Sequence, residues 1–150
     1  MDGSDSLTLH RVFRHPVDKV FAAWESADLM SRWFSADGWT ATVTSDFRVG
    51  GGYRIQMSDG AGGSHVQFGD YLDIEPNSRL RFTWTCHEIG VADSVVTVVL
   101  ARHPEGTEMT LTHELPRDPE IIGMHTQGWI RCLGGLEELL KTLHSTSTEE

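Results

Sequence analysis

The chain has 150 residues, a length that suits one domain around one core. It is 39% hydrophobic and 23% charged, an ordinary globular composition, with a formal net charge of −10. That charge excludes a nucleic-acid-binding surface, which needs clustered Lys and Arg, and gives no attraction to anionic membranes. No stretch reaches the ~20 apolar residues of a membrane-spanning helix, and the polar start MDGSDS is not a signal peptide. Two cysteines, Cys86 and Cys132, make no disulfide framework. A reduced, cytoplasmic protein is expected, with mobile ends at 1–5 and 145–150.

The first element in chain order is a strand over 6–13, where Leu7, Leu9, Arg11 and Phe13 alternate with Thr8, His10 and Val12. A helix follows, with Pro16 in its first turn and Val17, Val20, Phe21 and Trp24 at helical spacing. Asp28 is expected to start a second short helix carrying Leu29, Trp33 and Phe34. Six strands come next, over 39–47, 51–57, 65–74, 79–86, 94–102 and 107–115, joined by turn-like segments such as RVGG and EPNS. A long C-terminal helix then opens with Asp118 as N-cap and Pro119 at its first position. An antiparallel sheet needs its apolar face covered, and only this last helix is large enough. The expectation is one α+β domain over 1–150, a curved antiparallel sheet of six or seven strands wrapped around the C-terminal helix.

That helix carries Gly128, Gly134 and Gly135, each costing about 0.5–1 kcal/mol relative to alanine. Ile121, His125, Gly128, Cys132, Gly135 and Leu139 fall along one stripe beside Trp129, Leu133, Leu136, Leu140 and Leu143. Gly134 lies off this apolar sector. The small residues along its edge have two readings: close approach of strand backbones, or space for a ligand between helix and sheet. His125, in the middle of the sector, is either a core histidine satisfied locally or a polar handle in a cavity. On the strands, Tyr53, Ile55 and Met57 share one face, as do Leu80, Phe82, Trp84 and Cys86, and Met109, Leu111, His113 and Leu115. Val66, Phe68, Leu72 and Ile74, with Asp70 among them, are expected on the inner face of their strand, with Tyr71 pointing the other way.

Several chemistries are missing. There is no HExxH, no close cysteine pair, no nucleophile elbow, no P-loop and no dinucleotide fingerprint. The run VGGGY enters a strand, where glycines make a bulge or a tight hairpin. His87, His113 and His125 would have to converge from three elements to hold a metal, so neither metal nor cofactor is expected. Cys132 beside Arg131 reads as a buried, inert thiol.

Four stretches together carry a resemblance: RVFRHPVDKVFAAWESADLMSRWF, DFRVGGGYRIQM, GDYLDIEPNSRLRFTW and THELPRDPEIIGMHTQGWIRCLGGLEELL. In this order they resemble the START-like (SRPBCC) superfamily, in the branch named after the activator of the heat-shock-protein-90 ATPase. The resemblance covers Leu7 to Leu143. It implies a helix-grip fold, a curved sheet gripping the C-terminal helix around a deep cavity. The family includes chaperone-binding proteins, and its superfamily lipid, hormone and polyketide binders with some cyclases and hydrolases. This chain is read as the single domain, without the separate N-terminal domain of the eukaryotic co-chaperones.

The favoured reading is a binding protein for a small apolar or aromatic, lipid-like or polyketide-like ligand. Trp33 and Phe34 would close one end of its cavity, and Met57, Phe68, Trp84, His113, His125, Trp129 and Cys132 would line it. The alternative is a cyclase- or hydrolase-type enzyme with His125 or His113 as general base, aided by Glu114 or Asp70. A third reading is a co-chaperone-like module that docks a protein through its surface. Edge strands of such a sheet would also allow a homodimer.

Overall fold

The computed structural model describes residues 4–35 and 38–148, with side chains described over 5–35 and 38–143. Its order is β1 (Ser4–Phe13), α1 (Val17–Glu25), α2 (Ala27–Phe34), β2 (Thr40–Ser45), β3 (Gly52–Ser58), β4 (Ser64–Glu75), β5 (Arg79–Cys86), β6 (Val91–His103), β7 (Gly106–Pro116) and α3 (Pro119–Thr148). The seven strands form one antiparallel sheet in the order β1-β7-β6-β5-β4-β3-β2. Strands β2 to β7 run as a meander, and β1 closes onto β7. The α+β helix-grip architecture expected from the sequence is the one observed. Strand begins at Ser4 and helix runs through Thr148. Among the described residues no helix is long and apolar enough to cross a membrane.

Local chemistry sets the element boundaries. Pro16 is the residue before α1, with φ −62° and ψ 154°, so the helix starts one residue later than proposed. Ser26, not Asp28, caps α2: its Oγ accepts from the Leu29 N–H at 3.1 Å, while its own N–H donates to the Ala22 carbonyl at 3.1 Å to end α1. Asp28 sits in the first turn, where a carboxylate favours the helix dipole. Asp118 caps α3 as expected, its Oδ1 accepting from the N–H of Glu120 at 3.0 Å. Pro119 needs no donor there.

The inner faces of β3, β5 and β7 are those read from alternation. Tyr53, Ile55, Met57, Leu80, Phe82, Trp84, Met109, Leu111, His113 and Leu115 are all buried. On β4 the assignment is reversed. His65, Gln67, Gly69 and Tyr71 face inward, while Phe68 and Leu72 are 37% and 40% exposed on the outer face. A register shift between Tyr71 and Asp73 then turns half-buried Ile74 back to the core. The loop after β2 pins this irregularity, with Gly50 N–H donating to the Tyr71 carbonyl and Tyr71 N–H to the Gly51 carbonyl, both at 2.9 Å. Gly69 is required for another reason: a Cβ there would run into the Thr83 carbonyl.

Beneath the sheet, Val20, Ala23 and Trp24 of α1 and Met30, Trp33 and Phe34 of α2 join the core. Leu133, Leu136, Leu139 and Leu140 of α3 complete it.

Candidate functional site

Between the first half of α3 and the inner faces of β3, β4 and β5 lies an open cleft of about 940 Å³. Six residues singled out from the sequence line it: Phe34, Met57, Trp84, His125, Trp129 and Cys132. The structure places three others elsewhere. Trp33 is fully buried below the cleft, with its Nε1–H donating to the Ala23 carbonyl at 2.9 Å. Phe68 points outward, its ring 5.5 Å from that of His87. His113 stands behind the cleft wall, fully buried.

Sequence reasoning missed Trp39, His65, Gln67, Gln127 and Arg131, which also line the cleft. For His65 and Gln67 a signal existed: they are a polar i, i+2 pair opposite the apolar face of the same strand. Arg131 lies at the mouth, its guanidinium 4.7 Å from the Trp39 ring centre and its Nη1 donating to the Phe34 carbonyl at 3.4 Å. The lining contains no carboxylate among the described residues.

Gly128 answers the question about the helix glycines. A Cβ added there meets nothing within 4 Å, and the residue borders the cleft. It leaves open space and does not serve close packing against a strand. Gly134 also has nothing within 4 Å, but it is on the exposed side of α3.

A hydrogen-bonded chain runs behind the wall. Trp129 Nε1–H donates to His113 Nδ1 at 3.1 Å. Because an indole can only donate, Nδ1 is the acceptor, and the proton of the neutral ring is on Nε2. Nε2–H therefore donates to Ser94 Oγ at 2.9 Å, and Ser94 Oγ–H donates to the Trp84 carbonyl at 2.5 Å. Burial, reinforced by neighbouring His125, lowers His113 to about 3. With both nitrogens engaged, His113 fixes the orientation of Trp129 and has no lone pair to offer a substrate. Trp129 in turn packs on Trp84 with ring centres 5.1 Å apart.

His125 is held differently. Its Nδ1–H donates to the Ile121 carbonyl at 2.9 Å, one turn back along α3. Burial lowers its pKa and that of His65 below the ordinary 6.5, so both favour the neutral form. Glu114 and Asp70, the carboxylates considered as helpers of a catalytic histidine, are exposed, and neither is a hydrogen-bond partner of His113 or His125. Two polar atoms of cleft residues are buried without a partner among the described residues: Trp84 Nε1 and Gln67 Oε1. Unpaired buried groups of this kind are uncommon and costly unless something else satisfies them. Among the described residues no three His, Cys, Asp or Glu side chains are grouped to hold a metal. His113 and His125 do meet, with ring centres 5.2 Å apart, but His87 is exposed elsewhere. Cys86 and Cys132 are buried and not joined in a disulfide, and burial raises Cys86 to about 11.

Comparison with solved structures shows the same fold repeatedly. A protein from Chromobacterium violaceum is 28% identical, with a TM-score of 0.82 over 90% of this chain and 96% of its own. One from Rhizobium leguminosarum is 30% identical, with a TM-score of 0.79 over 93% of this chain and 95% of its own. A Staphylococcus aureus protein shares the fold at 18% identity, with a TM-score of 0.80 over 98% of this chain and 97% of its own. No curated protein matches the sequence. The family described as activator of Hsp90 ATPase homolog 1-like protein matches residues 14–141, and the chain belongs to that family.

Proposed function

We propose that the protein binds one small apolar or aromatic molecule, lipid-like or polyketide-like, in the cleft between α3 and the sheet. One observation carries this reading: a cleft of about 940 Å³, walled by Phe34, Trp84 and Trp129, contains residues whose buried polar atoms have no partner among the described residues. Ligand sites of roughly 300–1,000 Å³ with few polar groups on an apolar wall are the usual form of small-molecule pockets. The open space beside Gly128 supports the same reading, because a glycine inside a helix is otherwise only a cost. The ionisable histidines suit orientation better than proton transfer: His113 is engaged at both nitrogens, and neither His113 nor His125 has a carboxylate partner among the described residues. Two buried cysteines outside any disulfide fit a reducing, cytoplasmic setting. A second copy would pair through the sheet edges, β1 or β2, and a chaperone would dock on the outer surface; sedimentation and pull-down experiments test both.

Native mass spectrometry of freshly purified protein, followed by identification of any released compound, tests the binding reading. A co-purifying apolar compound near one-to-one is the expected result. An apo mass, with no thermal shift across lipids and aromatic compounds, would overturn it.

A further inference from the structure

The hydrogen-bonding atoms of the cleft narrow the class of molecule, and this step rests on the binding reading above. His125 donates from Nδ1 to a carbonyl oxygen, which can only accept. Its neutral ring therefore carries a lone pair on Nε2. That nitrogen has no hydrogen-bond partner among the described residues. The nearest ring cannot supply one. His113, edge-on with ring centres 5.2 Å apart, spends its single proton on Ser94 and its lone pair on Trp129. Trp84, with its ring centre 6.4 Å from that of His125, makes a second edge contact.

Gln67 repeats the pattern. Its Nε2 donates to His65 Nδ1 at 2.7 Å, which leaves the buried Oε1 as an acceptor without a donor. Among the described residues two acceptors, His125 Nε2 and Gln67 Oε1, thus lack a proton, beside two donors without an acceptor, the Trp84 Nε1–H and the His65 Nε2–H that follows from His65 Nδ1 accepting from Gln67. The complement of such a set is a group that gives a proton and can also receive one. A hydroxyl does both; a carboxylate gives none and would set its charge against two lone pairs. The other titratable or charged groups of the lining are His65, whose Nδ1 accepts from Gln67, the buried Cys132 thiol, and Arg131, engaged with Trp39 and the Phe34 carbonyl.

We infer that the cleft selects a neutral ring compound carrying a hydroxyl group, whose proton is donated to His125 Nε2 while its ring packs on Trp84 and Trp129. No bond is made or broken in this step; it is recognition alone. Burial of His125 keeps the accepting lone pair present at neutral pH.

Three probes with one ring system test it: 2-naphthol, 2-methoxynaphthalene and 2-naphthoate, titrated at neutral pH by calorimetry and by quenching of tryptophan fluorescence. One net hydrogen bond corresponds to about a tenfold change in affinity. The unmodified protein should bind the naphthol about tenfold tighter than either of the others. His125→Phe should abolish that preference, so that the naphthol and the methoxy compound bind alike, and His125→Gln, which keeps an acceptor, should retain part of it. Equal binding of all three probes would overturn the inference and leave the binding reading intact. Tightest binding of the naphthoate would also overturn it and assign recognition to Arg131. Absence of binding by all three would bring down both readings. The probe comparison needs no variant, so it decides the matter even if His125→Phe does not fold.

Discussion

The two halves of α3 meet the sheet in opposite ways. From Leu133 onward the helix is packed: Leu133, Leu136, Leu139 and Leu140 are all buried. From Gly123 to Cys132 the same helix borders an open cleft, and the space that side chains could fill is left vacant beside Gly128. The backbone is one uninterrupted helix throughout, so no break in the helix accounts for the difference. A long helix can thus separate two tasks along its length. The packed half contributes the burial that stabilises the domain, and it holds the open half in place without needing contacts there.

Substitutions should separate the halves cleanly. The largest effect belongs to the packed half: Leu136→Ala, at a fully buried position, should destabilise the protein by about 2–5 kcal/mol in chemical denaturation and leave probe binding below the transition unchanged. A loss under about 1 kcal/mol would mean that this half is not tightly packed. Next comes the wall between the halves. His113→Phe deprives Trp129 Nε1 of its acceptor and Ser94 Oγ of its donor, and should cost about 1–3 kcal/mol at neutral pH.

That cost should shrink in acid, and the sign follows from proton binding. Between the ordinary 6.5 and the folded value of about 3, the unfolded imidazole of His113 takes up a proton that the folded one refuses. Stability from this residue is therefore full above the window and lost as pH falls through it, with a slope of at most about 1.4 kcal/mol per pH unit. Urea midpoints measured across the window should show the slope in the unmodified protein and a shallower one in His113→Phe. Parallel curves would remove His113 as its source.

The smallest effects distinguish two glycines of one helix. Gly128→Ala and Gly134→Ala should each stabilise by about 0.5–1 kcal/mol, because neither added methyl meets another atom within 4 Å. Leucine at the same positions sharpens the contrast: Gly128→Leu should abolish probe binding, and Gly134→Leu should not. Equal behaviour of the two leucine variants would show that the space beside Gly128 is not where the ligand sits.

The fold was legible because most strands have an unambiguous apolar face. Tyr53, Ile55 and Met57, or Leu80, Phe82 and Trp84, alternate with polar neighbours, and period two then fixes which side is inside. Strand β4 misled for a physical reason. Its inner face borders the cleft and carries His65, Gln67 and Gly69, so its apolar alternation, Val66 and Phe68, marks the outer face instead. Helical spacing likewise found Trp129 and Cys132. It could not separate Trp33 from Phe34, adjacent aromatics of α2, of which the first is sunk in the core and the second reaches the cleft. Partners distant in sequence, such as Trp129 with His113, or Arg131 with Trp39, required the three-dimensional arrangement.

The indoles described above have an optical consequence. Trp33, Trp24, Trp129 and Trp84 form a relay with successive ring centres 4.9, 6.2 and 5.1 Å apart. At such separations their strong far-ultraviolet transitions couple, so the folded protein should show a circular dichroism couplet there that no isolated tryptophan gives. Excitation absorbed anywhere along the relay can migrate to Trp84, at the wall of the cleft. The whole cluster then serves as an antenna whose emission reports on whatever occupies the space next to it.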